Sequence, residues 1–222
     1  WYSMRYNLTK VNFLSEVKPT SCAYWFNNLP YLTWLKNIKN LNTCNMTDMS
    51  FMFSSCCNLT ALNVSNFDTS KVTNMDSMFY DCSRLASLDV SHFDTSKVTN
   101  MHYMFNGCRL LTTLDVGNFN TSKVTNMKSM FFGCTSLTSL DVSNFNSSKV
   151  TDMSSMFYYC SSLTTLKLGC FNTSKAYYSN IFEHMNTNAM LYTYSQNTKD
   201  WILNLSSDNR PSAWTTNNII VQ

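Results

Sequence analysis

Glycine is nearly missing from this chain, with four residues in 222. A phosphate-cradling loop needs several glycines at close spacing, so nucleotide-binding loops are excluded. Charged residues are also scarce, at 13%, against the quarter or so usual in soluble domains. The net charge of +3 is too small to argue for nucleic acid or an anionic membrane surface. No apolar run comes near the ~18 residues of a membrane helix, so no membrane insertion of this segment is expected. Neither Cys-x-x-Cys nor His-x-x-x-His occurs, and no metal or cofactor is expected. The three histidines, His92, His102 and His184, are expected to lack a positioned acid or nucleophile, so an enzyme is not expected. The chain opens at Trp1 without a basic-then-apolar leader, which reads as a trimmed piece of a longer protein.

What fills the chain is a repeat carried by Ser, Thr, Asn, Leu, Met, Phe and Cys. Leu59, Leu85, Leu111, Leu137 and Leu163 start five copies at a step of 26 residues, and Cys56, Cys82, Cys108, Cys134 and Cys160 keep the same step. Within a copy, Leu85, Leu88 and Val90 have the spacing of a half-buried strand. Phe93 and Val98 re-enter the interior. Met101, Met104, Phe105 and Cys108 fall at i, i+3, i+4, i+7, the pattern of one helical face. Thr99 precedes that stripe where an N-cap is wanted, and Thr47, Thr73, Thr125 and Thr151 repeat it.

Such a unit covers its own flat sides only by stacking on neighbours. It buries about eight apolar side chains at ~25 cal/mol per Å², and a single unit would not fold alone. The expected fold is therefore α/β: a leucine-rich-repeat solenoid of about seven or eight coils, with a parallel strand stack on one face and short helices on the other. Residues 1–185 form the solenoid, with degenerate coils over 1–56, regular repeats over 59–162 and a degenerate last coil over 163–185. Residues 186–222 read as a non-repeating cap, with a strand over 190–194, a helix over 198–205 and a final strand over 219–221. The nine cysteines are an odd number, and five share one repeat position. That favours a column of buried free thiols acting as small apolar residues over a disulfide framework.

The strand spacing L-x-x-L-x-V fits the leucine-rich repeat. The fuller sentence, LASLDVSHFDTSKVTNMHYMFNGC over 85–108, resembles the BspA-like family of bacterial leucine-rich-repeat surface proteins over about residues 20–185. The closing NTKDWILNLSSDNRPSAW is similar to the end region of such proteins. The resemblance implies a secreted or cell-surface location on the bacterial cell wall, and adhesion to a protein or glycan of a host or neighbouring cell, with the chain acting as a monomer. One departure stands out. Where the general pattern places Asn or Cys after the strand, this chain has Phe67, Phe93, Phe119, Phe145 and Phe171. Stacked rings are expected to replace an Asn ladder at that corner.

Three outward columns are candidate ligand surfaces. Asn63, Asp89, Asp115, Asp141 and Lys167 run down the strand face. Stacked carboxylates should repel, raising their pKa values or attracting a cation; the blander reading is a solvated face whose carboxylates bond nearby hydroxyls. Lys71, Lys97, Lys123, Lys149 and Lys175 form a ladder suited to anionic polymers, or simply a solvated edge. The helix side carries Tyr80, Tyr103, Phe132, Tyr158 and Tyr159, the residue types that anchor interfaces, unless they only cover helix ends. Two functions follow: a recognition module binding a protein or glycan, favoured by the variable aromatic side, or a structural spacer, favoured by the uniform strand face.

Overall fold

Every strand pairing among the described residues is parallel. A computed structural model describes residues 5–171 and 176–222. In it, β1 (Lys10–Asn12) pairs with β2 (Trp34–Lys36). Further along, β3 (Ser139–Asp141), β4 (Thr165–Lys167), β5 (Met190–Thr193) and β6 (Ile219–Val221) form one sheet in chain order. The pairing sets Leu140 beside Leu166 and Asp141 beside Lys167, so each copy lies directly on the next. Between these sheets a bridge joins Ala61 to Ser87 on the strand side, while Asp48, Asn74, Asn100, Asn126, Asp152 and Tyr177 bridge in file on the opposite side of the coils. The result is a parallel solenoid of about eight turns. In the coil over 85–108, Leu85, Leu88, Val90, Phe93, Val98, Met101, Met104, Phe105 and Cys108 are all buried, as the period-two and stripe patterns require.

The other side of the coil is not helical. The sole α-helix among the described residues is α1 (Gln196–Leu203), in the tail. The segment Met75–Cys82 is instead a run of overlapping turns. Amides of Met78, Tyr80 and Cys82 close back on the carbonyls of Met75, Ser77 and Phe79. The amides between them, on Met75, Ser77, Phe79 and Asp81, donate forward to Asn100, His102, Met104 and Asn106 of the next coil at 2.7–3.0 Å. Ser77 and Asp81 have φ of 54° and 49°, the left-handed third residue of a type II turn. The Asp76 amide goes to the Asn74 side chain, so every N–H of the segment is used. The reason is spacing. An α-helix is ~10 Å across and cannot stack on its neighbour at the ~4.8 Å of paired strands. Turns linked coil to coil can, and they bury the same i, i+3, i+4, i+7 set.

Side-chain ladders reinforce the backbone ones. The Thr residues expected as helix caps instead donate coil to coil: Thr73 to Thr47 O, Thr99 to Thr73 O, Thr125 to Thr99 O and Thr151 to Thr125 O, at 3.0–3.2 Å. Buried Thr43, Thr69, Thr95 and Thr121 donate in the opposite direction, to the carbonyls of 68, 94, 120 and 146. The Asn ladder exists after all, one residue before the expected corner. Asn66, Asn118 and Asn144 donate to carbonyls of the preceding coil, and His92 stands in for Asn with Nε2 3.0 Å from Val64 O. The continuous ring stack lies in another column than expected. Phe26, Phe53, Phe79, Phe105, Phe131, Phe157 and Phe182 stack at 5.3–5.9 Å within 12° of parallel. The corner rings Phe67 and Phe119 lean on that stack.

The cysteine column has a second role besides packing. All nine cysteines are free. The thiols of Cys56, Cys82, Cys108, Cys134 and Cys160 donate to the carbonyls of Phe26, Phe53, Phe79, Phe105 and Phe131 at 3.1–3.3 Å. Burial pushes their pKa values up, to about 12 for Cys56 and Cys134, so as a column they are poor nucleophiles.

The tail extends the sheet as well as closing the core. β5 and β6 add two further strands. Ser195 caps α1, and Trp201 and Trp214 pack on Phe182, the last ring of the stack. Arg210 donates to Leu203 O and Trp214 O, fastening the helix end to the following turn.

Two outcomes follow. Chemical denaturation of Phe105→Ala should show a loss of about 3–5 kcal/mol, and of Cys108→Ala about 1–2 kcal/mol from the lost thiol bond and a small void, the Phe79 carbonyl keeping its bond from the Cys82 amide; neutral values would contradict the two columns. A thiol reagent should label exposed Cys170 and half-buried Cys44 far faster than the column in the folded protein, with half-buried Cys57 slowed by a pKa pushed up to about 11, and all nine cysteines after unfolding without reductant. Recovery of only one thiol would mean disulfides.

Candidate functional site

The strand-face column resolves into turn locks. Asn63 Oδ1 accepts the Ser65 amide, Asp89 Oδ1 the Ser91 amide and hydroxyl, Asp115 Oδ1 the Gly117 amide and Asp141 Oδ1 the Ser143 amide, all at 2.7–3.0 Å. Lys167 lies 3.1 Å from Asp141 Oδ2. The expected rise in carboxylate pKa is reversed. Hydrogen bonds from Ser91 hold Asp89 below the usual range. Burial works against the charge of Asp141, but Ser143 and Lys167 outweigh it and lower its pKa too. A carboxylate that accepts local donors has its charge stabilised and no need of a cation. Hollows of about 520 and 400 Å³ lie along this face, and among the described residues no group of three or more His, Cys, Asp or Glu is placed to hold a metal ion.

The lysine ladder is similarly plain. Lys71, Lys97, Lys123 and Lys149 are exposed, and Lys71 Nζ donates to Asn45 Oδ1 at 2.9 Å. Lys175 lies outside the described residues.

The turn face is different. Tyr80, Tyr103 and Phe132 line one cavity of about 710 Å³, joined by Tyr24, Phe51, Asp76, His102 and Lys128. A second, of about 440 Å³, shares Tyr80 and Phe132 and adds Asp81, Arg109 and Tyr159. Tyr24 stacks on Phe51 at 4.7 Å, Phe132 on Tyr158 at 4.9 Å and Tyr159 on His184 at 4.5 Å. Tyr80 meets Tyr103 edge-on at 5.8 Å. The five aromatic candidates thus fall along one surface, joined by Tyr24, Phe51, His102 and His184, which the repeat reading did not single out.

Backbone conformation distinguishes these rings. Within each run of turns the first left-handed position is Tyr24, Phe51, Ser77, Tyr103, Ser129, Ser155 or Asn180, and the second is Asn28, Ser55, Asp81, Gly107, Gly133, Tyr159 or His184. Left-handed backbone costs a non-glycine residue about 1–2 kcal/mol and is least tolerable for bulky side chains. Sibling coils solve the problem with Ser, Gly, Asn or Asp; Tyr24, Phe51, Tyr103 and Tyr159 do not. Aligning copies by turn position, not by apolar stripe, is the sequence signal that finds them.

His102 corrects the expectation about the histidines. Its Nδ1 is 3.6 Å from Asp76 Oδ1, one coil back, and Nε2 is buried without a hydrogen-bond partner. Partial burial penalises the charge of Asp76, but hydrogen bonds from His102, Ser77 and Asn100 outweigh it and keep its pKa below the usual range. Ser77 Oγ donates to Asp76 at 2.6 Å, so its hydroxyl is directed at the acid and not at the imidazole. His184 Nε2 has an acid neighbour as well, Glu183 Oε1 at 3.3 Å.

A profile of one sequence family matches residues 20–113 and again 80–201. The chain belongs to that family, described as Mycoplasma protein of unknown function, DUF285. Its two overlapping placements reflect the repeat, since a profile laid on a periodic chain fits at more than one offset. No curated protein and no solved structure matches this DUF285 chain.

Because Asp68, Asp76, Asp89, Asp94 and Asp141 all titrate below the ordinary aspartate value, the stability they contribute is fully present above that value. It is lost as pH falls through their lowered folded pKa values, below about pH 4. Thermal melts in that range should fall with decreasing pH. Asp89→Asn, which keeps the turn lock as Asn63 does, should lessen the fall; an unchanged acid profile would mean the lock is not made.

Proposed function

We propose that this solenoid is a recognition segment of a bacterial surface protein, of the BspA-like kind its repeat resembles, and that it binds a protein or glycan of a host or neighbouring cell through its turn face. The proposal is of a binding surface without catalysis, located outside the cell and working as a monomer. The observation that carries it is the set of bulky rings at left-handed positions where sibling coils use Ser, Gly, Asn or Asp. Strain of this kind gathers at functional sites because selection for folding alone removes it.

A spacer with no ligand of its own is the second reading. It is supported by the strand face, where Asp89, Asp115 and Asp141 perform the same local task in each coil.

Binding of the labelled, purified chain to cells and to arrayed matrix proteins and glycans separates the two. Replacing Tyr24 and Phe51 by Ser should weaken binding by about tenfold or more, as loss of anchor residues does, while Asp89→Asn with Asp115→Asn should leave it unchanged. Absence of binding throughout, or sensitivity confined to the strand face, favours the spacer or the other surface.

A further inference from the structure

Resting on the recognition reading, we infer that the turn-face track takes an uncharged glycan chain, laid obliquely across the coils. The shape of the track comes first. The rings move sideways as the coils advance, from the Tyr24–Phe51 pair through Tyr103 and the Phe132–Tyr158 pair to Tyr159 on His184. Six coil steps of ~4.8 Å give roughly 29 Å. That length suits a chain polymer better than a compact small molecule.

The charges come second. Each cavity holds one carboxylate and one fixed cation: Asp76 with Lys128 in the larger, Asp81 with Arg109 in the smaller. Balanced charge offers little to a polyanion. It offers donors and acceptors to hydroxyls, and the rings offer flat apolar surface to the C–H faces of sugars.

The backbone comes third. An extended peptide would be held chiefly by main-chain bonds to a free edge. Here the amides of 75–82 are all committed within the coil or to the next coil, so the track has no edge to lend. A globular protein would bury about 800 Å² of this face around a packed apolar centre, whereas Ser77, Ser129 and Ser155 interrupt the rings.

The test is calorimetric titration of the whole chain with uncharged oligosaccharides of about four to six sugars in β-1,4-glucose, β-1,4-N-acetylglucosamine, mannose and galactose series. Tyr103→Ser and Tyr159→Gly place at each site what sibling coils carry, so both should fold, with cooperative melts close to the parent. Expected is saturable binding to at least one series, unchanged between about 0.05 and 0.5 M salt and weakened at least about tenfold in each variant. No binding up to about 10 mM of any series, binding lost in high salt, or binding untouched in both variants overturns the inference. Capture of an arrayed protein with no sugar bound also overturns it, while leaving the recognition reading in place; silence from both overturns both.

Discussion

The amide of Ser77 reaches the carbonyl of His102 at 2.7 Å, and that of Thr73 reaches back to Thr47 at 2.8 Å. Bonds of this kind, made to the coil before and the coil after, hold successive copies at strand spacing, and the rest of the protein is built to that spacing. Like must stack on like. Columns of like charge repel at ~5 Å and are confined here to the exposed lysines and the turn-locking aspartates, while Ser, Thr and Asn carry most of the remaining polarity. Inside, the same constraint turns Phe into one ring stack and Cys into a file of thiol donors. Both choices suit a site that sees its own copy above and below.

The period and the interior were legible because burial leaves a direct trace in sequence. Leu88, Val90, Met101, Phe105 and Cys108 are the residues the pattern marks as inward. Local conformation was less legible. The stripe Met101, Met104, Phe105, Cys108 satisfies a helix and a run of type II turns equally well, since both bring i, i+3, i+4 and i+7 to one side. Only the axial spacing decides between them, and spacing is a property of neighbours. Gly107 and Gly133, in the left-handed column, were the local hint. The acidic column misled for a related reason. Asp89 and Asp115 were read against each other, when each is tied to an amide two residues on in its own coil. His102 looked unpartnered along the chain because its acid, Asp76, belongs to the previous copy.

In a chain so constrained, departure from the repeat is the informative quantity. Ser, Gly, Asn and Asp are what left-handed turn positions favour, and most coils carry them. A Tyr at 103 or 159 adds strain to its own coil, and its ring rests on other exposed rings outside the main core. If covering the turns were its purpose, the coils with Ser129 and Ser155 would need the same cover, and they stand without it. The cost is therefore set against something outside the coil. A rigid stack makes that a workable arrangement. Each ring is fixed on backbone bonded above and below, so little ordering remains to oppose a ligand when it arrives. The solenoid supplies a support bonded coil to coil, and the few residues that break its own rule are where the proposed recognition would be concentrated.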